Sequence, residues 1–148
     1  MTTTATPEPT TRVRELSRSE CVDALRSHSL GRVALSVDAL PVILPVNYIF
    51  DGGGAVFRTR SGSVLDRNCR NTVVAFEVDE FNPATRVGWS VLVVGVASAL
   101  FGGDWLRALE LGLSSVGAPD GAIFVKIVPG SVTGRAIEAA PASTAVAR

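Results

Sequence analysis

Much of what usually announces a function is missing from this sequence. It has one histidine, His28, so a hydrolytic triad or a histidine-rich metal site would have to be built around a single imidazole. Its two cysteines, Cys21 and Cys69, are too few for a disulfide scaffold and read as a reduced, cytoplasmic pair. Neither sign of charge is in excess. Lys+Arg and Asp+Glu stand at 14 each with a formal net charge of +0, so no field draws the chain to nucleic acid or to an anionic membrane. The longest apolar run, Val91 to Leu100, is broken by Gly95 and Ser98. It falls well short of the ~20 residues that a membrane-spanning helix requires. The first fifteen residues carry no apolar signal core. A Gly-rich phosphate loop ending in Lys, a G-x-S-x-G elbow and paired metal-ligand spacing are all lacking.

What the chain does have is core material. Hydrophobic residues make up 47% of its 148 positions and charged residues 19%, enough for one apolar core without staples. Residues 1–13 are mostly Thr, Pro and Ala and read as a disordered tail, as do residues 139–148. The expected domain is 14–138.

The spacing predicts a helix over Ser17 to Ser27. Ser17 and Glu20 form a capping box, Leu16 can staple onto Cys21, and Gly31 stands where a left-handed residue would end the helix. Period-two patterns predict strands over 32–37, 42–50 and 55–60, the last two joined by the Asp51-Gly-Gly-Gly loop. A short helix should run from Ser63 to about Arg70. Two longer strands, 72–78 and 89–100, follow, with Gly95 marking a bulge or bend. A third helix should start at Asp104 as N-cap, and two last strands, 122–128 and 131–137, should meet at Pro129-Gly130. Hairpin spacing dominates. The fold class expected is mainly β with small helices, an antiparallel barrel.

Three places could carry chemistry. The first is the end of the 55–60 strand, where Arg58 and Arg60 lie two apart, hydroxyls follow at Thr59, Ser61 and Ser63, and a helix begins. Guanidinium groups beside free helix amides suit a phosphate or carboxylate, and the plain alternative is solvated arginines beside an ordinary Ser cap. The second is Pro45-Val46-Asn47. A proline inside a strand needs an edge or a bulge, which leaves backbone groups open, and Asn47 should face away from Val46 and Tyr48. The third is Trp89-Ser90, where the indole either walls a pocket or fills the core. Cys69 lies near Arg67 and Arg70, which could lower its pKa, although no general base is in view.

The stretches Leu30-Gly-Arg-Val-Ala34, Leu44-Pro-Val-Asn-Tyr48, Val56-Phe-Arg-Thr59 with Gly62-Ser63, Val74-Ala-Phe-Glu-Val-Asp79, Gly88-Trp-Ser-Val91 and Thr133-Gly-Arg135 together resemble a known family. In order and spacing they are similar to the FMN-binding split β-barrel superfamily related to pyridoxamine 5′-phosphate oxidase, and within it to small bacterial flavin-binding or nitroimidazole-reductase-like members. The resemblance implies a six-stranded split barrel, a homodimer, and FMN in a cleft between protomers, with a deazaflavin as the alternative. It implies a flavin-dependent oxidoreductase acting on a small molecule; a non-catalytic or cofactor-free dimeric module is the rival. By residue, it implies Pro45, Val46 and Asn47 along the ring. Arg58, Thr59 and Ser63, with Arg60 and Ser61, would lie near the phosphate, and Trp89 and Ser90 would approach from the second copy. One position departs from the pattern: Val64 stands where the family usually has a lysine for the phosphate. Losing such a charge-assisted contact costs roughly 1.5–3 kcal/mol, about ten- to a hundredfold in affinity.

Overall fold

A computed structural model of the chain describes residues 8–113 and 121–141. The expected tails over 1–7 and 142–148 lie outside the described residues. In chain order the elements are β1 (Thr11–Glu15), α1 (Arg18–Ser27), β2 (Leu30–Val37), β3 (Leu40–Asp51), β4 (Gly54–Arg60), α2 (Val64–Asn68), β5 (Thr72–Asn82), β6 (Val87–Ala99), α3 (Gly102–Glu110) and β7 (Ala122–Ala139). The sheet runs β1-β7-β4-β3-β2-β5-β6, and β6 also pairs with β7. Six strands therefore close into an antiparallel ring, the split barrel expected from the sequence. Along one edge β7 follows β6; along the other it is paired first with β4 and then with β1.

Alternation explains which side chains fill the ring. Val33 and Leu35, Val46 and Tyr48, Val74, Phe76 and Val78, and Val91 and Val93 all point inward and are buried. Helix α1 closes one end of this core. Its capping box forms as predicted, with the Ser17 hydroxyl accepting from the Glu20 backbone and the Glu20 carboxylate accepting from the Ser17 N–H at 2.7 Å. The buried Tyr48 hydroxyl donates to the Leu25 carbonyl at 2.6 Å and ties the end of α1 to β3. Gly134 lies under the helix, where a Cβ would stand 2.7 Å from Cys21 Sγ.

Five details differ from the sequence reading. Thr11 to Val13 are strand, not tail. Their side chains bury little, and the segment is held by its ladder to β7 and by Arg12 and Arg14 on Glu138, which composition does not reveal. Ala139 likewise belongs to β7. Gly31 does not end α1; the C-cap is His28 in an extended conformation, and Gly31 sits inside β2 because a Cβ there would collide with the Phe76 ring. Pro129-Gly130 is no turn between strands. β7 is one strand of 18 residues, and a register shift opposite Val94 and Gly95 lets it bend round the barrel. Asp104 is not the cap of α3, which starts at Gly102 after Phe101; Asp104 sits in the first turn, where its charge complements the helix dipole.

The outer surface of the sheet is unusually apolar. Ile43 pairs with Ala34, Ala34 with Ala75, and Ala75 with Val94, while Val73 pairs with Val96 and Val96 with Val128. All of these face away from the core, with Ile43 66% and Val73 65% exposed. No helix among the described residues is long and apolar enough to cross a membrane.

Candidate functional site

The β3–β4 ladder stops at Tyr48↔Phe57. The Tyr48 N–H turns the other way, to the Ser29 carbonyl at 2.9 Å, so alternation aims the backbone groups of Asn47 and Pro45 toward β4, where no ladder continues. Pro45 has no N–H to give, and this is the one side of β3 on which none is required. Val46 is buried in the core, while Pro45 and Asn47 are exposed on the outer surface. The result is an open strand edge bordered by a carboxamide, with Leu30 and the ion-paired Arg32 of β2 beside it on the outer face.

β4 sends its candidates in two directions. Arg60 is exposed, and Arg58 shares its face. Arg58 is half-buried and turned toward α3, with its guanidinium 3.5 Å from the Leu113 carbonyl and 5.9 Å from the centre of the Phe124 ring. Thr59 points the opposite way, into the barrel end closed by α2. Arg58 and Arg60 are therefore not brought together with Thr59 and Ser63.

At that barrel end the polar groups serve each other. The Thr59 and Ser63 hydroxyls lie 2.7 Å apart, and Ser63 Oγ accepts the Asp66 N–H at 3.1 Å. The Asp66 carboxylate accepts the Gly62 N–H at 2.8 Å and pairs with Arg70 at 2.7 Å. Thr59 and Asp66 are the buried polar side chains among the described residues, at 8% and 3% exposure. Ser61 is exposed, and its N–H goes to the Gly121 carbonyl. The Thr59 and Ser63 hydroxyls expected at a phosphate thus face each other, the chain's own carboxylate takes the Gly62 N–H, and Val64 supplies no cation. The Thr59–Ser63–Asp66 cluster satisfies itself, while Arg60 and Ser61 stay exposed beside it.

Trp89 and Ser90 stand far from this place. Trp89 pairs with Ala136 on β7, whereas Arg58 pairs with Phe124, toward the other end of that strand. Trp89 separates two concavities. One, of about 330 Å³, lies between α1 and the ends of β6 and β7 and includes His28, Glu20 and Ile137. The other, of about 300 Å³, is lined by Ser90, Phe81, Asp79, Arg135 and Val13. His28 meets Trp89 edge-on at 4.8 Å. Its Nε2 lies 2.9 Å from a Glu80 carboxylate oxygen, and its Nδ1 faces both Ser27 Oγ at 2.8 Å and the Ala24 carbonyl at 3.2 Å. With acceptors facing both ring nitrogens, His28 pins α1 to β5 rather than activating Ser27. Burial pushes the Cys69 thiol up to about 11, so Arg67 and Arg70 do not produce a reactive thiolate.

The sequence reading missed Asp66, although Ser63-Val-Leu-Asp66 is itself an S-x-x-D capping signature. It also missed Glu80 as the partner of His28, a contact across 52 positions that no local pattern signals.

Residues 17–136 match the family described as pyridoxamine 5′-phosphate oxidase. The chain belongs to that family. A solved structure described as the FAD binding protein from Mycobacterium smegmatis is 33% identical and superposes with a TM-score of 0.77, covering 86% of this chain and 100% of that one. A FAD-binding protein from Mesorhizobium loti, 24% identical with a TM-score of 0.68 over 84% of this chain and 97% of that one, shares the fold. An uncharacterized protein of Mycobacterium tuberculosis is 38% identical over 99 residues, a match that spans 64% of this chain and 65% of that relative. For this oxidase-family chain, the barrel thus has a counterpart of known structure, at 33% identity, that is described as FAD binding.

Proposed function

We propose that this chain binds a flavin as a homodimer and uses it to pass hydride or electrons to a small-molecule acceptor, aromatic or nitro-containing. The observation that carries the reading is the open edge of β3. It offers backbone groups beyond the end of the β3–β4 ladder and Asn47 to the polar rim of a ring, in a chain 33% identical to a FAD binding protein over 86% of its length. The ring would supply the redox chemistry, and these residues would orient it and keep water from one face. The apolar rows through Ile43 and through Val73 and Val96 lie further along the same outer face, beyond the row of Pro45, Arg32 and Glu77, and suit a second copy of the same chain. Such a pairing is also the means by which Trp89 and Ser90 of a second copy would reach a ring lying on Pro45 and Asn47. FMN is the flavin implied by the motifs, and FAD is the one bound by the Mycobacterium smegmatis relative. Two buried free thiols, Cys21 and Cys69, suit a cytoplasmic setting.

A cofactor-free dimeric module is the second reading, favoured by the filled α2 end and by Val64. Titration of the purified protein with FMN, FAD and a deazaflavin, followed by flavin fluorescence, separates the two. The proposal expects saturable binding near one ring per protomer. Absence of binding for all three supports the module.

A further inference from the structure

We infer that the concavity on the outer face of β5, β6, β7 and β1 is a binding site for a small planar aromatic carboxylate. Arg135 and Ser90 hold the anionic group, and Phe81, Ile137 and Val13 hold the ring. The site goes beyond the flavin reading, with which it shares Ser90, and needs no flavin bound.

Two neighbouring cross-strand rows build it. One is apolar: Phe81 pairs with Gly88, Gly88 with Ile137, and Ile137 with Val13. The next is polar: Asp79 pairs with Ser90, Ser90 with Arg135, and Arg135 with Glu15. Residues two apart on a strand share a face and stand about 7 Å from each other, so the rows run side by side. Gly88 shapes the floor. A Cβ there would stand 2.9 Å from Phe81 Cδ2, and without one the Phe81 ring leans over β6. Phe81 stays 51% exposed and Val13 67%, apolar surface that nothing among the described residues covers. The space between the rows is about 300 Å³, enough for a small ring system.

The polar row sets the charge of the ligand. Among the described residues the Arg135 guanidinium and the Ser90 hydroxyl make no hydrogen bond or ion pair. Asp79, by contrast, is committed to Arg32 at 2.8 Å. A guanidinium and a hydroxyl with donors to give suit a carboxylate, which Arg meets through two parallel hydrogen bonds. Glu15 and Asp79 lie on the same row and repel a dianion more than a single charge. Acetate would reach the polar row and leave the apolar row wet, and a neutral ring would leave Arg135 unmet. A ring bearing one carboxylate spans both rows, lies against Phe81, and loses little conformational freedom on binding.

The test titrates the full chain, without flavin, with naphthoate, its neutral isostere naphthamide, acetate and inorganic phosphate. Calorimetry gives the affinities and amide chemical shifts give the place. Naphthoate should saturate a site that shifts Ser90 and Arg135, and should bind about tenfold or more tighter than naphthamide, the worth of a charge-assisted contact. Acetate and phosphate should each bind about tenfold or more weakly than naphthoate. Arg135→Gln, at an exposed position and checked by circular dichroism, should bring naphthoate and naphthamide to within about threefold of each other. Phe81→Ala should weaken both by about tenfold and keep their ratio.

Failure of naphthoate to bind, naphthamide binding as tightly, phosphate binding more tightly than naphthoate, or a preference that survives Arg135→Gln would each overturn the assignment. Because no flavin is added, such a result leaves the flavin reading standing, and a failed flavin titration leaves this site standing.

Discussion

The hydroxyl of Tyr48 donates to the carbonyl of Leu25 at 2.6 Å, and both residues are buried. One hydrogen bond thus joins the closing helix to the strand whose exposed neighbour, Asn47, borders the open edge. Tyr48→Phe leaves that carbonyl without its partner, a loss of about 1–3 kcal/mol. Urea denaturation should show the lower midpoint with an unchanged slope, and hydrogen exchange in α1 should quicken. A variant as stable as the wild type would mean that α1 is held by its apolar contacts alone.

Alkaline pH should weaken the fold. Burial pushes the Cys69 thiol from 9.0 to about 11 and the Tyr48 phenol from 10.0 to about 12. The folded chain keeps protons that the unfolded chain releases, so this contribution is whole below pH 9 and is lost as pH rises toward 11 and 12. Urea midpoints should fall across that window, and Cys69→Ala should flatten the lower part of the fall. For the same reason neither Cys21 nor Cys69 should react with a thiol reagent until the protein is denatured.

Acid acts through a different group. Hydrogen bonds from Arg14 and then from the Ser17 backbone hold the Glu20 carboxyl down at about 2, from an ordinary 4.5. Its contribution is present above pH 4.5 and disappears as pH falls toward 2. Glu20→Gln should make the acid limb of the stability curve shallower, read as the urea midpoint between those two values. An unchanged limb would show that the exposed pair contributes nothing measurable.

Gly31 should not tolerate a side chain. A Cβ there meets the Phe76 ring inside the barrel. Gly31→Ala should cost about 1–3 kcal/mol through overpacking, read by thermal unfolding.

The apolar outer face gives a direct handle on assembly. Val73 is 65% exposed near the start of β5, with Val96 opposite it. Val73→Asp should leave the monomer folded and shift size-exclusion elution from dimer to monomer. If the elution volume stays that of a dimer, the second copy sits elsewhere.

Much of the barrel was legible in the sequence because alternation over 32–37 and 42–50 leaves one consistent inward face, and Ser17 with Glu20 marks the helix start. Pro45 marked an open edge because a missing N–H is a local fact. What was not legible depends on partners far along the chain. The strand Thr11–Glu15 exists through its ladder to β7, and Gly31 answers to Phe76 rather than to its neighbours in sequence. Arg58, Thr59 and Ser63 are close in sequence, but the pleat of β4 sends Arg58 to one face and Thr59 to the other.

The central claim is a flavin held between two copies of this chain. Sedimentation velocity of the protein mixed with FAD, recorded at the visible flavin band, tests it in one experiment. The flavin signal should sediment with a species of twice the chain mass and should leave that boundary in Val73→Asp. Flavin remaining at the meniscus while the protein sediments as a dimer, or travelling with a monomer, would contradict the account.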